Sequence, residues 1–193
     1  MHKNLLTYLL FIAIVCSYSL IFSQTLPLKN YNTKDGLPQS TIRCIFQDSK
    51  GFIWFGTFNG ISKFNGTKFY NYNIENGLSN NTVNSIMEDN NGNIWIGTPK
   101  GLNKMVNSKI TVEKLKGNIT KILKDKKGNL FILIPKQTIY KYDGKEFTPL
   151  DFNFNKKELH ITNFALDKKD NIILINSGKL YRYDFVSTKE ILS

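Results

Sequence analysis

The sequence predicts an all-β protein, and two observations carry this prediction. The first is a motif that occurs twice: the glycines, the central aspartate and the tryptophan of residues 35–61 recur 41 positions later, in residues 76–102. The second is the content of the motif, because short runs of β-branched and aromatic residues alternate with turns rich in Asp, Asn and Gly. A repeat of roughly 40–45 residues with this pattern is typical of one four-stranded antiparallel blade of a β-propeller.

The second copy shows the elements of one blade. Four strands are predicted, over residues 82–87, 93–98, 101–105 and 109–114. The first turn begins with Asp89 and ends with Gly92, and the first copy repeats it with Asp48 and Gly51. An aspartate at this position caps its own backbone, and glycine accepts a positive φ. A calcium loop is the alternative, but no bidentate glutamate follows at the required spacing.

Two further copies are degenerate. One has the turn residues Asp125 and Gly128, with Phe131 where the earlier copies have tryptophan. The other begins with Asp167 and has Asp170 in the glycine position, where aspartate tolerates left-handed geometry. The predicted blades are therefore residues 41–73, 82–115, 118–150 and 160–193. The residues assigned a structural role in the repeats are Asp48, Gly51, Trp54, Gly56, Asp89, Gly92, Trp95, Gly97, Asp125, Gly128, Phe131 and Asp167.

The recurring large residues predict how blades contact one another. Trp54, Trp95, Phe131 and Ile173 share one mid-strand position. Each sheet must bury its faces against its neighbours, so this position is expected at the interface between blades, with an aromatic platform for sugar as the alternative. Basic third-strand residues also recur, and we expect them on a solvated face rather than as a binding stripe for an anionic polymer. These residues are Lys63, Lys104, Lys141 and Arg182.

The segment before the first blade bears on closure of the ring. Residues 31–37 match residues 72–78, so residues 26–32 are predicted to be an outer strand that completes the last blade, which would lack its own. A seven-blade ring at this period needs roughly 290 residues. We therefore expect about four blades of an incomplete ring, with a compact four-blade ring as the alternative.

The first residues predict export. A basic start precedes an apolar run, and small Ser23 precedes polar Gln24, so residues 1–23 read as a signal peptide cut near Ser23–Gln24 and residues 24–193 as the propeller domain. An uncleaved membrane anchor is the alternative. The expected location is periplasmic or otherwise exported.

Composition limits the partners. The net charge is +11, but the lysines are scattered and arginines are few, so a nucleic-acid partner is not expected. Cleavage leaves only Cys44, which reads as a small apolar strand residue, and no spacing predicts a metal or cofactor site.

The repeated phrase resembles the two-component regulator propeller repeat. The resemblance rests on Gly36-Leu37-Pro38 and Ile53-Trp54-Phe55-Gly56-Thr57, and on Gly77-Leu78-Ser79 and Ile94-Trp95-Ile96-Gly97-Thr98. It implies the periplasmic sensor region of a hybrid two-component histidine kinase of Bacteroidota type, responding to oligosaccharides. The sequence holds no kinase core, so the expected partners for relaying a signal are a downstream histidine kinase or the remaining propeller blades. Contact with the membrane is expected only through a parent protein or an uncleaved signal peptide. A dimer is a further expectation.

In a propeller, the loops that join an outer strand to the next inner strand share one face with the loops between second and third strands. This predicts a ligand patch there, with amides and a ring for sugar. The residues are Gln39, Arg43, Phe58, Asn59, Asn80, Asn81, Asn84 and Lys100. The alternative is that these asparagines only shape turns. The predicted function is a ligand-sensing module without chemistry of its own, and the alternatives are an interaction scaffold or a carbohydrate-active enzyme. The only acids near the patch, Asp35 and Glu75, do not form an opposed pair.

Overall fold

The structure is a computed structural model that describes residues 28–155 and 159–192, so the predicted signal peptide lies outside the described residues. The chain divides into a unit of residues 1–30 and a unit of residues 31–193, and the strands described below belong to the second unit. The first two sheets contain β1 (Ile42–Gln47), β2 (Ile53–Thr57), β3 (Gly60–Phe64), β4 (Phe69–Tyr72), β5 (Ser85–Glu88), β6 (Ile94–Thr98), β7 (Gly101–Val106) and β8 (Lys109–Val112). The other two contain β9 (Lys121–Lys124), β10 (Leu130–Ile134), β11 (Thr138–Tyr142), β12 (Phe147–Pro149), β13 (Ile161–Leu166), β14 (Ile172–Asn176), β15 (Lys179–Tyr183) and β16 (Thr188–Leu192).

Each sheet is a four-stranded antiparallel meander in which consecutive strands pair. The inner strands β1, β5 and β9 contact one another in chain order, and β9 contacts β13 less extensively. The four sheets form an open ring, which confirms the predicted propeller architecture.

The prediction about the outermost strands was wrong in its described part. Residues 28–32 are not in a strand, and the fourth blade has its own outer strand, because β16 pairs with β15. The sequence match arises instead from two capped 3-10 helices, Thr33–Asp35 and Ile74–Asn76. Each begins after an asparagine, Asn32 or Asn73, whose side chain accepts a backbone N–H two residues on. The repeat thus extends into the loop between blades.

The first turn of each blade is held by its aspartate. Asp48 Oδ1 accepts the N–H groups of Lys50 and Phe52, at 3.0 and 2.9 Å. In the first two blades the second carboxylate oxygen accepts the indole N–H of the repeated tryptophan, at 2.8 Å for Trp54 and 2.9 Å for Trp95 on Asp89. The turn and the buried ring are therefore one hydrogen-bonded unit.

We expect this unit to make the protein sensitive to acid. Burial acts to raise the pKa of Asp89, but hydrogen bonds from Asn93 and Trp95 outweigh it and lower the pKa below its ordinary value. A lowered pKa in the folded state stabilises the protein above the unfolded value of about 3.9, and this contribution is lost as pH falls through the folded value. Urea unfolding should give a smaller free energy at pH 3 than at pH 7. Asp89→Asn should reduce the difference between the two pH values, whereas the control Glu75→Gln, at an exposed carboxylate, should not. If Asp89→Asn shows the same pH dependence as the unaltered protein, Asp89 is not the source of the acid sensitivity.

The large repeated residues lie between blades. Trp54 packs with Leu78 and Val83 of the second blade, and its side chain is buried. Trp95 packs with Ile119 and Ile122 of the third blade. In the same way, Phe131 packs against the fourth blade, in a cluster with Phe164, Ile172 and Leu174. Ile173, which has no following blade among the described residues, is only half-buried.

Two glycines let successive inner strands approach. A Cβ on Gly56 would lie 2.4 Å from Cys44 Sγ and 2.7 Å from Val83 Cγ1. A Cβ on Gly97 would lie 2.7 Å from Ile119 Cγ2. All three distances are shorter than side chains tolerate, so these glycines serve close packing and not a turn.

The third-strand lysines lie over the aromatic rings. Lys104 Nζ is 4.9 Å from the centroid of the Trp95 ring, and Lys63 Nζ is 3.6 Å from that of Phe52. Both lysine side chains are half-buried. They cover the rim of the interface between blades through cation–π contacts, in addition to facing solvent.

Candidate functional site

A small groove of about 350 Å³ opens where the inner strands of the first three blades begin. Its lining consists of one residue of β1, residues of the two turns between second and third strands, and residues that precede β5 and β9. These are Arg43, Phe58, Thr82, Asn84, Pro99, Asn118 and Thr120. The predicted patch and this groove share Arg43, Phe58 and Asn84.

A bulge in β1 turns the Arg43 side chain toward the groove. In β1 the register shifts between Ile42, opposite Thr57, and Cys44, opposite Gly56, so Arg43 has no partner in the ladder. An extra residue of this kind bends the strand and turns its side chain aside.

The second and third blades have the same local break. Val83 N donates to Thr57 O of the first blade at 2.8 Å, while the next residue, Asn84, donates to Gly97 O of its own sheet at 2.8 Å. In the third blade, Ile119 N donates to Thr98 O of the second blade, and the next residue, Thr120, donates to Leu133 O of its own sheet. One residue thus ties each blade to its predecessor, and the next residue lies at the groove.

Arg43 is held from two sides. Its NH2 group donates to Asn84 Oδ1 at 2.9 Å, and its guanidinium carbon lies 4.5 Å from the centroid of the Phe58 ring. Asn84 Nδ2 in turn donates to Ile119 O at 2.9 Å and to Asn118 Oδ1 at 3.2 Å. The side chains of three blades are therefore connected at the groove.

Five of the eight predicted ligand residues do not line the groove. Gln39 instead holds the turn that carries Phe58, because its Oε1 accepts the Phe58 N–H at 3.1 Å. Asn80 and Asn81 accept the N–H groups of Thr82 and Ile74, so they shape the loop as the turn alternative expected.

Asn59 and Lys100 also lie outside the lining. Asn59 Nδ2 contacts Pro38 O at 3.4 Å, and the Lys100 side chain is exposed. The predicted patch did not include four lining residues: Thr82, Pro99, Asn118 and Thr120. Aligning the degenerate third copy on the first two, position by position, would have pointed to Asn118.

The groove contains no group prepared for covalent or acid–base chemistry. Its seven lining residues include no carboxylate, histidine or cysteine. Burial raises the pKa of the neighbouring Cys44 thiol to about 11, an effect partly offset by the Gly56 backbone and the Arg43 charge. A thiol with such a pKa is neutral at pH 7 and a poor nucleophile. The arrangement is suited to binding.

A larger cavity, of about 830 Å³, runs beside β11 and β12 along residues 149–155. Two of its polar groups form local hydrogen bonds: Thr138 Oγ1 donates to Leu150 O, and Asp151 Oδ1 accepts the N–H of Asn153. Within residues 28–155 and 159–192 no cluster of His, Cys, Asp and Glu could hold a metal ion. Among these residues there is also no helix with the length and apolar character needed to cross a membrane.

The fold and groove define a class of protein: a β-propeller module whose polar groove is built from successive blades. Residues 36–59 and 77–100 match the family model of the two component regulator propeller. The chain therefore carries two repeats of that family, as the motif predicted. No curated protein matches the chain at a significant level.

Solved structures share the fold at low sequence identity. The extracellular domain of the system BT4673 from B. thetaiotaomicron, described as one component or hybrid two component, is 20% identical with a TM-score of 0.66 and covers 87% of this chain. Virginiamycin B lyase from Staphylococcus aureus is 15% identical with a TM-score of 0.65 and covers 81%. PorZ of the type-IX secretion system of Porphyromonas gingivalis is 16% identical with a TM-score of 0.61 and covers 84%.

These relatives are longer than this chain. The chain spans 26% of the BT4673 domain, 57% of the lyase and 24% of PorZ. At these identities the likeness concerns the fold alone.

Proposed function

We propose that this chain is an exported sensing module that binds an oligosaccharide in the groove and relays binding to a histidine kinase. The observation that carries the proposal is the Arg43–Phe58–Asn84 constellation, which joins a charged donor, an exposed ring and an amide at one concave site. The two family repeats and the fold shared with an extracellular domain of a two component system support it.

The chemistry of the groove suits a sugar. Phe58 is 45% exposed, so one face of a pyranose ring can cover it and gain apolar contact. Arg43 and Asn118 supply donors for hydroxyl or carboxyl oxygens, and a small number of placed polar groups in a concave site is the usual basis of specificity.

The hydrogen bonds that connect three blades at the groove support the proposed relay of ligand binding. Asn84 of the second blade contacts Arg43 of the first and Ile119 of the third, so a ligand on Arg43 touches a network spanning three sheets. The kinase, like the export step, belongs to the proposal: the chain spans 26% of the BT4673 extracellular domain alone.

The test is calorimetric titration of the purified protein with a panel of neutral and acidic oligosaccharides. We expect a member of the panel to bind, and the double variant Arg43→Ala plus Asn84→Ala to weaken that binding by at least tenfold, about 1.4 kcal/mol. Lys127→Ala, at an exposed turn residue at the opposite ends of the strands, is the matched control. Unaltered affinity in the double variant would remove the groove from the proposal.

An interaction scaffold is the second candidate, and one observation favours it. The outward face of the fourth blade exposes Ile175 (37%) and Ile191 (46%), whereas corresponding faces of earlier blades are covered by the next blade. Size-exclusion chromatography separates the two functions: self-association without ligand, abolished by Ile191→Lys, would favour the scaffold. A monomer that binds sugar would favour the sensor.

A further inference from the structure

The orientation of the Asn84 amide is fixed by its neighbours. The Ile119 carbonyl can only accept a hydrogen bond, so the Nδ2 group of Asn84 faces it at 2.9 Å. The Arg43 guanidinium can only donate, so Asn84 Oδ1 faces it, also at 2.9 Å. The second Nδ2 hydrogen goes to Asn118 Oδ1, so both donor hydrogens of Asn84 are engaged. Asn84 is a positioning residue for Arg43.

Among the charged and amide groups of the groove, those left for a ligand are donors. Thr82 and Thr120 also line the groove, and their hydroxyls can donate as well as accept. A guanidinium carries five N–H donors, and Arg43 uses one hydrogen bond to the protein, to Asn84. Asn118 has its oxygen engaged, so its Nδ2 group is what it offers to a ligand. Both amide oxygens in the groove are already acceptors within the network.

The charge of the groove is also unbalanced. No acidic residue lines it. Within residues 28–155 and 159–192 the ion pairs are Lys179–Glu190 and Arg182–Asp167, so Arg43 has no carboxylate partner there. A positive charge at a concave site with surplus donors attracts an anion, and the net charge of +11 adds to this attraction.

From this geometry we infer that the groove selects a ligand bearing a carboxylate or sulfate group, which Arg43 binds while the sugar ring covers Phe58. The inference rests on the proposed function and narrows its ligand to an acidic saccharide. Arginine suits this role because its planar fork binds a carboxylate or sulfate through two parallel hydrogen bonds, and charge-assisted bonds of this kind are stronger than neutral ones.

The test compares two trisaccharides of the same size: trigalacturonate and its fully methyl-esterified form, which carries no charge. Each is titrated calorimetrically into the purified protein at low salt and at physiological salt, with sodium sulfate as a third probe. We expect the acid to bind at least tenfold more tightly than the ester and the difference to shrink as salt rises.

Three variants locate the effect. Arg43→Gln should remove the preference for the acid, measured as the ratio of the affinities for acid and ester, because the amide carries no charge. Asn84→Ala should reduce the preference without abolishing it, because Phe58 still holds the guanidinium. Lys127→Gln removes the same charge elsewhere and should leave the preference intact. Circular dichroism confirms that each variant is folded.

The outcomes separate this inference from the proposed function. Equal binding of acid and ester, unaffected by Arg43→Gln, overturns the anion inference and leaves a neutral-sugar sensor standing. Binding of sulfate that Arg43→Gln abolishes, without binding of either trisaccharide, supports the anion site and refutes the saccharide part of the proposed function. No binding of any probe overturns both.

Discussion

Replacing Trp95 with alanine is expected to lower the free energy of unfolding by about 3–5 kcal/mol. The indole is 1% exposed and fills the space between the second and third blades. It also contacts the rings of Tyr142, at 4.9 Å between centroids, and Phe147, at 6.1 Å. Loss of the side chain removes this packing and leaves Asp89 without its indole donor. Urea unfolding followed by circular dichroism measures the change.

Two variants make this prediction decisive. Trp95→Phe keeps an aromatic ring but loses the N–H, so we expect a smaller loss of about 1–2 kcal/mol from the broken hydrogen bond. Tyr70→Ala removes an aromatic side chain that is 42% exposed on β4, and should change stability by about 0.5 kcal/mol or less. If Trp95→Ala costs no more than Tyr70→Ala, the ring does not hold the blades together.

Gly97→Ala should destabilise the protein by about 1–3 kcal/mol, because an added methyl group overpacks the contact between blades. The new Cβ would lie 2.7 Å from Ile119 Cγ2 and 3.4 Å from the Ile119 carbonyl oxygen. The flexible end of a side chain does not cause this overlap. Cγ2 and Cβ of the branched, fully buried Ile119 side chain cause it, so relief requires the backbone at Ile119, just before β9, to move.

A double-mutant cycle with Ile119→Ala tests that cause. Removing Cγ2 of Ile119 makes room for the methyl group, so the double variant should be more stable than the sum of the single losses by about 0.5–3 kcal/mol. Additive losses would show that Gly97→Ala acts through something other than Ile119, such as the backbone. Equilibrium unfolding of the four proteins provides the comparison.

The blades could be predicted from the sequence because their signals are local. An Asp-x-x-Gly turn depends on backbone dihedrals within four residues, so Asp48 and Asp89 mark the same hairpin wherever the sheet lies. Spacing could not show that their second carboxylate oxygens accept the indoles of Trp54 and Trp95, because that bond depends on how the strand returns past the turn.

The third and fourth blades show why the motif weakens. In the third blade Leu133 occupies the position equivalent to Gly97. The inner strand of this blade, β9, contacts β13 of the fourth blade less extensively than it contacts β5 of the second. A wider contact accommodates a leucine, which is itself buried in the cluster formed with the fourth blade. Glycine is needed only where the strands approach closely.

The candidate site was predicted in part, for a similar reason. The face shared by the loops pointed to a patch that included Arg43, Phe58 and Asn84. Asparagine serves both turns and ligands, so the sequence could not separate Asn84, which orients Arg43, from Asn80 and Asn81, which cap loops.

The sequence by itself determined the repeated four-stranded unit, its turns and the residues placed between units, because each depends on contacts within about 40 residues. The tertiary structure alone decided that Asn118 joins Arg43 and Asn84, from three different repeats, in one groove, and that donors of Arg43 and Asn118 remain for a ligand. That meeting depends on the bulge at which each inner strand joins the preceding blade, and on the distance between strands that contact one another across repeats. The join between blades and the distance between inner strands each involve two repeats, so no sequence pattern within one repeat could predict them.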